Sequence, residues 1–306
     1  MSKVLLITGA TGKQGRACIE ALLASPQASN FTILAVTRNR TSLSAISLSK
    51  RAPNIKVVQG DLNDCSAMFT AASNAANKSP IWGVFGVTTP AGGGEERQGK
   101  NLVDAAVATG VSNFVFTSAE RGGEKSQTTP TNVPHFITKY HIEQHLQTQA
   151  AEAIAGRMAW TIFRPVCFMD NLTPDFPGKM FSTAWKITLG NKKPLQLISS
   201  HDCGVFAAQA FLRPEEHKNK AFSIATDELT YEQADLIFKK KVGNYMPTTF
   251  GTLANFGLWA IKDLGMMFKW FQDDGFGADI KACREMQPGL LGFEEWIEKK
   301  SAFVRK

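Results

Sequence analysis

The sequence has no stretch of about 18 uncharged apolar residues, so it predicts no membrane-spanning helix. Cysteine is sparse. Cys18, Cys65, Cys167, Cys203 and Cys283 are odd in number, scattered and without Cys-x-x-Cys spacing. They read as reduced, mostly buried thiols of an intracellular protein rather than as a disulfide framework. No signal peptide is expected, because an apolar strand at residues 4–8 runs straight into a glycine turn. The expected location is the cytoplasm, with the nucleus as the alternative. The chain also lacks internal repeats and low-complexity linkers.

Nucleic-acid motifs are missing too. The net charge of +7 fits either a nucleic acid or an anionic cofactor with solvated lysines. Basic residues are dispersed, apart from Lys239-Lys240-Lys241, Lys299-Lys300 and Arg305-Lys306, and no basic helix interleaves aromatics. Direct nucleic-acid binding is therefore not expected. His141 and His145 are four residues apart, but no His-Glu-x-x-His pattern exists and Glu143 does not occupy its glutamate position, so no metal site is expected. Gly92-Gly93-Gly94 is not followed by the Gly-Lys-Ser/Thr of a phosphate loop. No Ser/His/Asp nucleophile arrangement stands out.

What is present is a chain long enough for a substantial core, with 43% hydrophobic and 20% charged residues as in a globular protein. Strands are predicted at 4–8, 31–37, 55–59, 82–87, 114–117 and 160–163. Helices are predicted at 14–24, 101–109 and 134–151. Strands separated by helical patterns imply βαβ units and a parallel, doubly wound α/β sheet. After Pro165 the regularity breaks. A helix at 203–212 and a strand at 221–224 look like returns to the first domain, and 231–242 is helical. The expected organisation is a nucleotide-binding Rossmann domain at 1–165, with returns near 195–226, and a smaller α/β substrate or partner domain at 166–306. Residues 250–271 carry Leu253, Phe256, Ala260, Leu264, Met267 and Phe271 at helical spacing, with Leu258, Trp259, Ile261 and Trp270 on other faces. A helix apolar nearly all round is expected to pack in the core or to line a cavity.

The first strand opens into Gly9-Ala10-Thr11-Gly12-Lys13-Gln14-Gly15 and then a helix. Gly9 permits the tight turn, Gly12 lets backbone approach a pyrophosphate, and Gly15 lets helix and strand pack closely. The helix N-terminus adds a partial positive charge. Strand, turn and helix together form the context that turns a weak glycine motif into a dinucleotide site. The second strand ends in Val36-Thr37-Arg38-Asn39-Arg40. An NAD site would place an acid there for the ribose 2′-hydroxyl. An arginine without an acid fits a 2′-phosphate, so Arg38, assisted by Arg40 or Lys13, selects NADP(H). Asp61 and Leu62 follow the third strand, where this fold flanks the adenine, and Asp61 also reads as a helix N-cap.

The set Thr8–Gly15, Thr37-Arg38-Asn39, Gly60-Asp61-Leu62 and 163–171 resembles the NmrA-like proteins, which are atypical short-chain dehydrogenases/reductases. The resemblance continues in Asp202-Cys203-Gly204-Val205, in 275–280 and in 290–296, and so covers nearly the whole chain. It implies a Rossmann domain plus a small C-terminal domain and a preference for NADP(H) through Arg38. It also implies that Phe168 and Asn171 close over the nicotinamide. The cofactor-binding candidates are Gly9, Thr11, Gly12, Gln14, Gly15, Arg38, Asp61, Leu62, Thr88, Lys139 and Phe168. Some members are redox sensors that bind transcription factors, and others reduce small hydrophobic molecules.

Ordinary short-chain dehydrogenases place a tyrosine four residues before a lysine, on one helix face. Here Lys139 stands in the lysine position and His135 in the tyrosine position, while Tyr140 lies about 100° away around the helix. A histidine near neutrality serves as acid or base. His135, Lys139 and Glu143 share a face, and Ser118 resembles the orienting serine. The catalytic candidates are Lys139, His135 and Ser118, against the alternatives that Lys139 only binds ribose, that His135 only caps the helix and that Ser118 only ends a strand. The expected function is an NADPH-dependent oxidoreductase reducing a hydrophobic small molecule. The alternative is a non-enzymatic NADPH/NADP redox sensor that regulates a protein such as a transcription factor.

Overall fold

The computed structural model describes residues 2–89, 93–153 and 158–303. Pro90 and Gly92 of the predicted glycine loop and the Arg305-Lys306 pair lie outside them. The alternating part of the chain runs β1 (Lys3–Ile7), α1 (Lys13–Ala24), β2 (Phe31–Thr37), α2 (Leu43–Ser49), β3 (Ile55–Gln59), α3 (Cys65–Ala75), β4 (Ile81–Gly86), α4 (Glu95–Ala108), β5 (Asn113–Thr117), α5 (Pro134–Glu152) and β6 (Ala159–Pro165). There follow β7 (Cys167–Phe168), α6 (Phe176–Thr188), β8 (Leu195–Ile198), α7 (Ser200–Leu212), α8 (Pro214–His217), β9 (Lys220–Ile224) and β10 (Asp227–Leu229). The chain closes with α9 (Tyr231–Val242), α10 (Gly251–Ala260), α11 (Lys262–Asp273), α12 (Ile280–Met286) and α13 (Phe293–Lys299).

β1 and β2 are nearly continuous apolar runs, as strands covered on both faces must be. They pair in parallel, with Leu5 opposite Ile33 and Ile7 opposite Ala35. The seven-stranded sheet has the order β3-β2-β1-β4-β5-β6-β9, and the pairings from β3 through β6 are parallel. The order reverses between β1 and β4, the switch point where sheets of this Rossmann type bind ligands outside the strand carboxyl ends. A second, three-stranded sheet has the order β10-β8-β7.

Contacts divide the chain into two compact units. One comprises Met1–Ser118, Thr138–Phe163 and Cys203–Phe222, and the other Ala119–Ile137, Arg164–Asp202 and Ser223–Lys306. In the first, Leu6, Leu34, Val84, Phe114 and Ile162 of the sheet pack against Met68, Leu102 and Ile142 of the helices. In the second, the core is aromatic, built on Trp185, Tyr231, Phe268, Trp270, Phe293 and Trp296. All five cysteines are buried thiols outside any disulfide. Among the described residues, no helix is long and apolar enough to cross a membrane.

Two expectations need correction. α4 starts at Glu95, six residues before the predicted start at 101, because Gly94 turns left-handed (φ +78°) at its N-cap and two glutamates fill the first turn. Residues 250–271 form two helices rather than one, broken at Ile261 (φ −99°, ψ 89°). The corner is tight: a Cβ on Gly265 would lie 2.0 Å from the Leu258 carbonyl oxygen.

The expected burial of this segment holds for Phe268, Trp270 and Phe271 of α11, but not for α10. Phe250, Phe256 and Trp259 are 78%, 62% and 79% exposed. The reason lies in size. α10 buries Ala254 and Gly257, and a Cβ on Gly257 would meet the Met180 methyl at 2.4 Å. The small face sets the close approach to α6, and the large residues point away.

Gly204 of α7 makes a similar close approach in the first unit. A Cβ there would lie 2.4 Å from the Ala17 Cβ and 2.5 Å from the Cys18 nitrogen. Gly204→Ala is expected to destabilise the protein by about 1–3 kcal/mol in urea unfolding. Gly251, with nothing within 4 Å of its added Cβ, is the control. Equal effects of the two alanines would refute the packing argument.

Candidate functional site

Parallel pairing collects the sequence-predicted residues of the first unit at one edge of the sheet. Gly9 follows β1, Arg38 follows β2, Asp61 and Leu62 follow β3, Thr88 follows β4 and Ser118 follows β5. The Thr8 hydroxyl donates to the Phe85 carbonyl (3.0 Å) and accepts from the Val87 N–H (2.8 Å), which fixes the start of the glycine turn against the end of β4. Gly9 then adopts φ +58°, a left-handed conformation that glycine adopts without strain. The Gly12 N–H donates to the Gly9 carbonyl (2.8 Å).

A Cβ on Gly15 would stand 2.4 Å from the Gly9 oxygen, so only glycine lets α1 sit this close to the turn. Gly12 caps α1 without a side-chain hydrogen bond. The partial positive charge of the helix N-terminus is therefore not offset by a capping side chain at Gly12. Gln14 Oε1, in the first turn of α1, is buried without a hydrogen-bond partner. A cradle closed to side chains and a helix N-terminus aimed at it fit the diphosphate of a nucleotide, whereas the orphaned Gln14 oxygen, an acceptor, fits a hydroxyl donor such as a ribose.

Past β2, the Asn39 carboxamide accepts from the Thr41 N–H (2.9 Å) and hydroxyl (2.7 Å), and Arg38 and Arg40 on either side are exposed. The N-cap role predicted for Asp61 belongs instead to Asp64, which accepts from the Ala67 N–H (3.0 Å). Asp61 accepts from Asn63, at its N–H (2.8 Å) and its carboxamide (2.9 Å). Leu62 is half-buried against the core of this unit.

Lys139 lies on α5 and is 8% exposed. Its Nζ donates to Thr88 Oγ1 (2.8 Å), the Thr88 carbonyl (3.3 Å) and the Thr117 carbonyl (3.2 Å), and it pairs with Glu95 Oε1 at 3.1 Å. The Phe116 ring centroid is 5.2 Å from the nitrogen. Glu95, 3% exposed, also accepts from the hydroxyls of Thr88 (2.9 Å) and Thr138 (2.7 Å). Burial pushes the Glu95 pKa up, but the Lys139 charge and the three hydrogen bonds outweigh it and hold the group below the ordinary carboxylate value. One helical turn past Lys139, the buried Glu143 accepts from the Ser118 hydroxyl.

Sequence reasoning missed Glu95 and Thr138. The available signal for Glu95 was an acid pair directly after glycines at a helix start, which is an N-terminal signature. Nothing local marked its partnership with a lysine 44 residues away.

Phe168 and His135 fall in the second unit. Phe168 is half-buried in β7, opposite Ile198 of β8. His135 Nδ1 is 2.8 Å from both carboxylate oxygens of Asp263, and its backbone N–H donates to Asp263 Oδ1 (3.2 Å). Asp263 thus supplies an acceptor at the first turn of α5 and holds the imidazole as well. His141 and His145 each engage an acid, Glu96 at 2.9 Å and Asp104 at 2.5 Å. Among the described residues, no group of three or more His, Cys, Asp or Glu is placed to hold a metal ion.

Burial raises the Asp263 pKa, but the His135 hydrogen bonds and charge bring it below its ordinary value. A folded-state pKa below the unfolded one adds stability above the ordinary aspartate value of about 3.9, and that stability is lost as pH falls through the lowered value. Asp263→Asn should therefore flatten the acid arm of a urea-unfolding series between about pH 6 and pH 2. Parallel acid arms for the two proteins would contradict this assignment.

Known proteins are similar to this chain in sequence and fold. The NmrA-like family domain-containing oxidoreductase ptmS of Penicillium ochrochloron is 24% identical to the chain, with 98% of each sequence covered. The structure of Nmra, a negative transcriptional regulator, in complex with NAD has the same fold, with a TM-score of 0.71 at 16% identity over 99% of this chain and 95% of that one. The NADPH-dependent quinone oxidoreductase QOR2 of Escherichia coli, complexed with NADPH, also has a TM-score of 0.71, at 20% identity over 96% and 98%. The model of the NmrA-like family matches residues 1–297, and the chain belongs to that family.

Proposed function

We propose that this protein binds NADP(H) and is an NADPH-dependent reductase of a hydrophobic small molecule. The observation that carries the proposal is Lys139, a buried ammonium held by acceptors at the carboxyl ends of β4 and β5. That edge is where this fold holds the nicotinamide half of a dinucleotide. The glycine cradle from Gly9 to Gly15 would hold the diphosphate, with Thr11 and Gln14 at its rim. Arg38 would pair with the 2′-phosphate, and Asp61 and Leu62 would flank the adenine. Bound NADPH supplies a hydride.

Reduction of a carbonyl, enone or quinone would take up that hydride and one proton, with NADP⁺ as the other product. This chain's task is to deliver the proton to the developing oxyanion. Lys139 Nζ is the donor in this reading, and it regains its proton from water. Lys139 also fits the ribose hydroxyls, as in ordinary short-chain dehydrogenases, and Ser118 orients the substrate oxygen. The similarity to ptmS and to QOR2 supports oxidoreductase chemistry.

One observation favours a second reading. His135 occupies the usual tyrosine position and its ring is committed to Asp263. A protein that senses the NADPH/NADP⁺ state for a regulatory partner would not need a proton donor there, and Nmra itself is described as a transcriptional regulator.

Two measurements test the proposal. NADPH absorbance is followed with a panel of enones, quinones and aromatic ketones. Turnover that Lys139→Ala lowers by about 100-fold or more supports the reductase. No turnover on any of them, with partner binding that differs between NADPH and NADP⁺, establishes the sensor instead. Separately, Arg38→Ala should weaken NADP(H) binding by about 10- to 100-fold while leaving NAD(H) nearly unchanged, the size of a charge-assisted hydrogen bond. Equal losses for both nucleotides would refute the 2′-phosphate role.

A further inference from the structure

We propose that Glu95 is the positioning residue and buried counter-charge of Lys139, and that this side chain sets the alkaline limit of turnover without touching substrate or cofactor. The turnover half of this inference rests on the reductase reading; the pairing half does not.

Hydrogen-bond counting leads to it. The Thr88 hydroxyl has one proton, and it points to Glu95 Oε1 at 2.9 Å. Toward Lys139, 2.8 Å away, that oxygen can only accept. Glu95 therefore fixes the rotation of the hydroxyl that receives the lysine proton. Its other oxygen is fixed by the Thr138 hydroxyl at 2.7 Å, next to Lys139 in sequence. Three ammonium hydrogens face four acceptors: two backbone carbonyls, one hydroxyl and one carboxylate. The carboxylate alone among them carries charge.

Thr88, Glu95 and Lys139 are all buried. In such surroundings a lone ammonium gives up its proton readily, and a carboxylate in contact retains it. The position of Glu95 as the first residue of α4 favours its ionised form, because the helix N-terminus is partly positive. The elements packed on Lys139 contribute Glu95 from α4, Thr88 after β4, and the Thr117 carbonyl and Phe116 ring from β5. Along α5 itself the other titratable groups are His135, bonded to Asp263, Tyr140, His141, bonded to Glu96, Glu143, bonded to Ser118, His145, bonded to Asp104, and Glu152, bonded to Gln149. Glu95 is therefore the charge in direct contact with the proton donor.

The experiment compares wild type, Glu95→Gln and Glu95→Asp, with NADPH and a simple naphthoquinone as the probe. Glu95→Gln keeps the shape and removes the charge. The alkaline limb of its kcat/KM profile should move down by about one to three pH units. Glu95→Asp, which keeps the charge on a shorter arm, should recover part of that shift. The KM for NADPH should change less than kcat in both variants. An alkaline limb unmoved in a folded Glu95→Gln protein overturns the tuning role.

A double-mutant cycle in urea unfolding over Glu95→Gln and Lys139→Met tests the pair itself. Losses that do not add support the counter-charge, and additive losses overturn it. If Glu95→Gln alone fails to fold, the double variant should fold; failure of both overturns the pairing. A wild type without turnover on any probe ends the reductase reading and the tuning role together. The cycle then still decides whether Glu95 carries the counter-charge of Lys139.

Discussion

Parallel pairing of β1 with both β2 and β4 is the constraint on which the rest of the first unit depends. Each parallel strand must exit at the same edge, so loops distant in sequence gather there without needing contacts of their own. The glycine turn, Arg38, Asp61, Thr88 and Ser118 share that edge because the sheet places them there. The return helices then insert side chains from outside the strands. Lys139 from α5 and Glu95 from α4 reach the carboxyl ends of β4 and β5. Two of the Lys139 acceptors are backbone carbonyls there, of Thr88 just past β4 and of Thr117 at the end of β5. A charge that satisfies them also gains a fixed position.

How much of this was legible in the sequence depended on how local the deciding forces were. β2 and β3 fall on their predicted bounds, since each is an apolar or β-branched run closed by polar residues. α9 does too, framed by the Thr230–Gln233 capping box and by Gly243 at φ +88°. The start of α4 was not legible, because residues 95–100 have no apolar period. It is set by a left-handed glycine and by the burial of Glu95 against Lys139. The apolar spacing of 250–271 was legible, but not which face would be covered. Large residues on every side leave that choice to Ala254 and Gly257, the small positions that allow α10 to approach α6.

The site divides along the same line. The roles expected of the glycine turn and of Arg38 rest on adjacent residues alone, and the structure supplies the local geometry of the turn. Contacts such as Glu95–Lys139 and His135–Asp263 join residues 44 and 128 apart and have no sequence period. His135, Lys139 and Glu143 are spaced so as to share one helix face, yet each has a different committed partner: Asp263, Glu95 and Ser118. Spacing on a helix specifies direction, whereas the function of a titratable group depends on what it meets.

That distinction bears on why a buried ion pair is present at all. Removing two charges from water costs several kcal/mol per ion, and apolar residues of similar volume often stabilise a core equally well or better. Stability is therefore a poor reason for Lys139 and Glu95 to lie together under the edge of the sheet. The lysine is useful there only as a cation that donates hydrogen bonds in a fixed direction. Its partner lets it remain one while buried. The carboxylate in turn is held at three points, by Thr88, Thr138 and Lys139 itself, so the pair cannot relax by rotating into solvent. A cation that costs stability to bury and is aimed this tightly fits a group retained for chemistry or ligand binding rather than for folding.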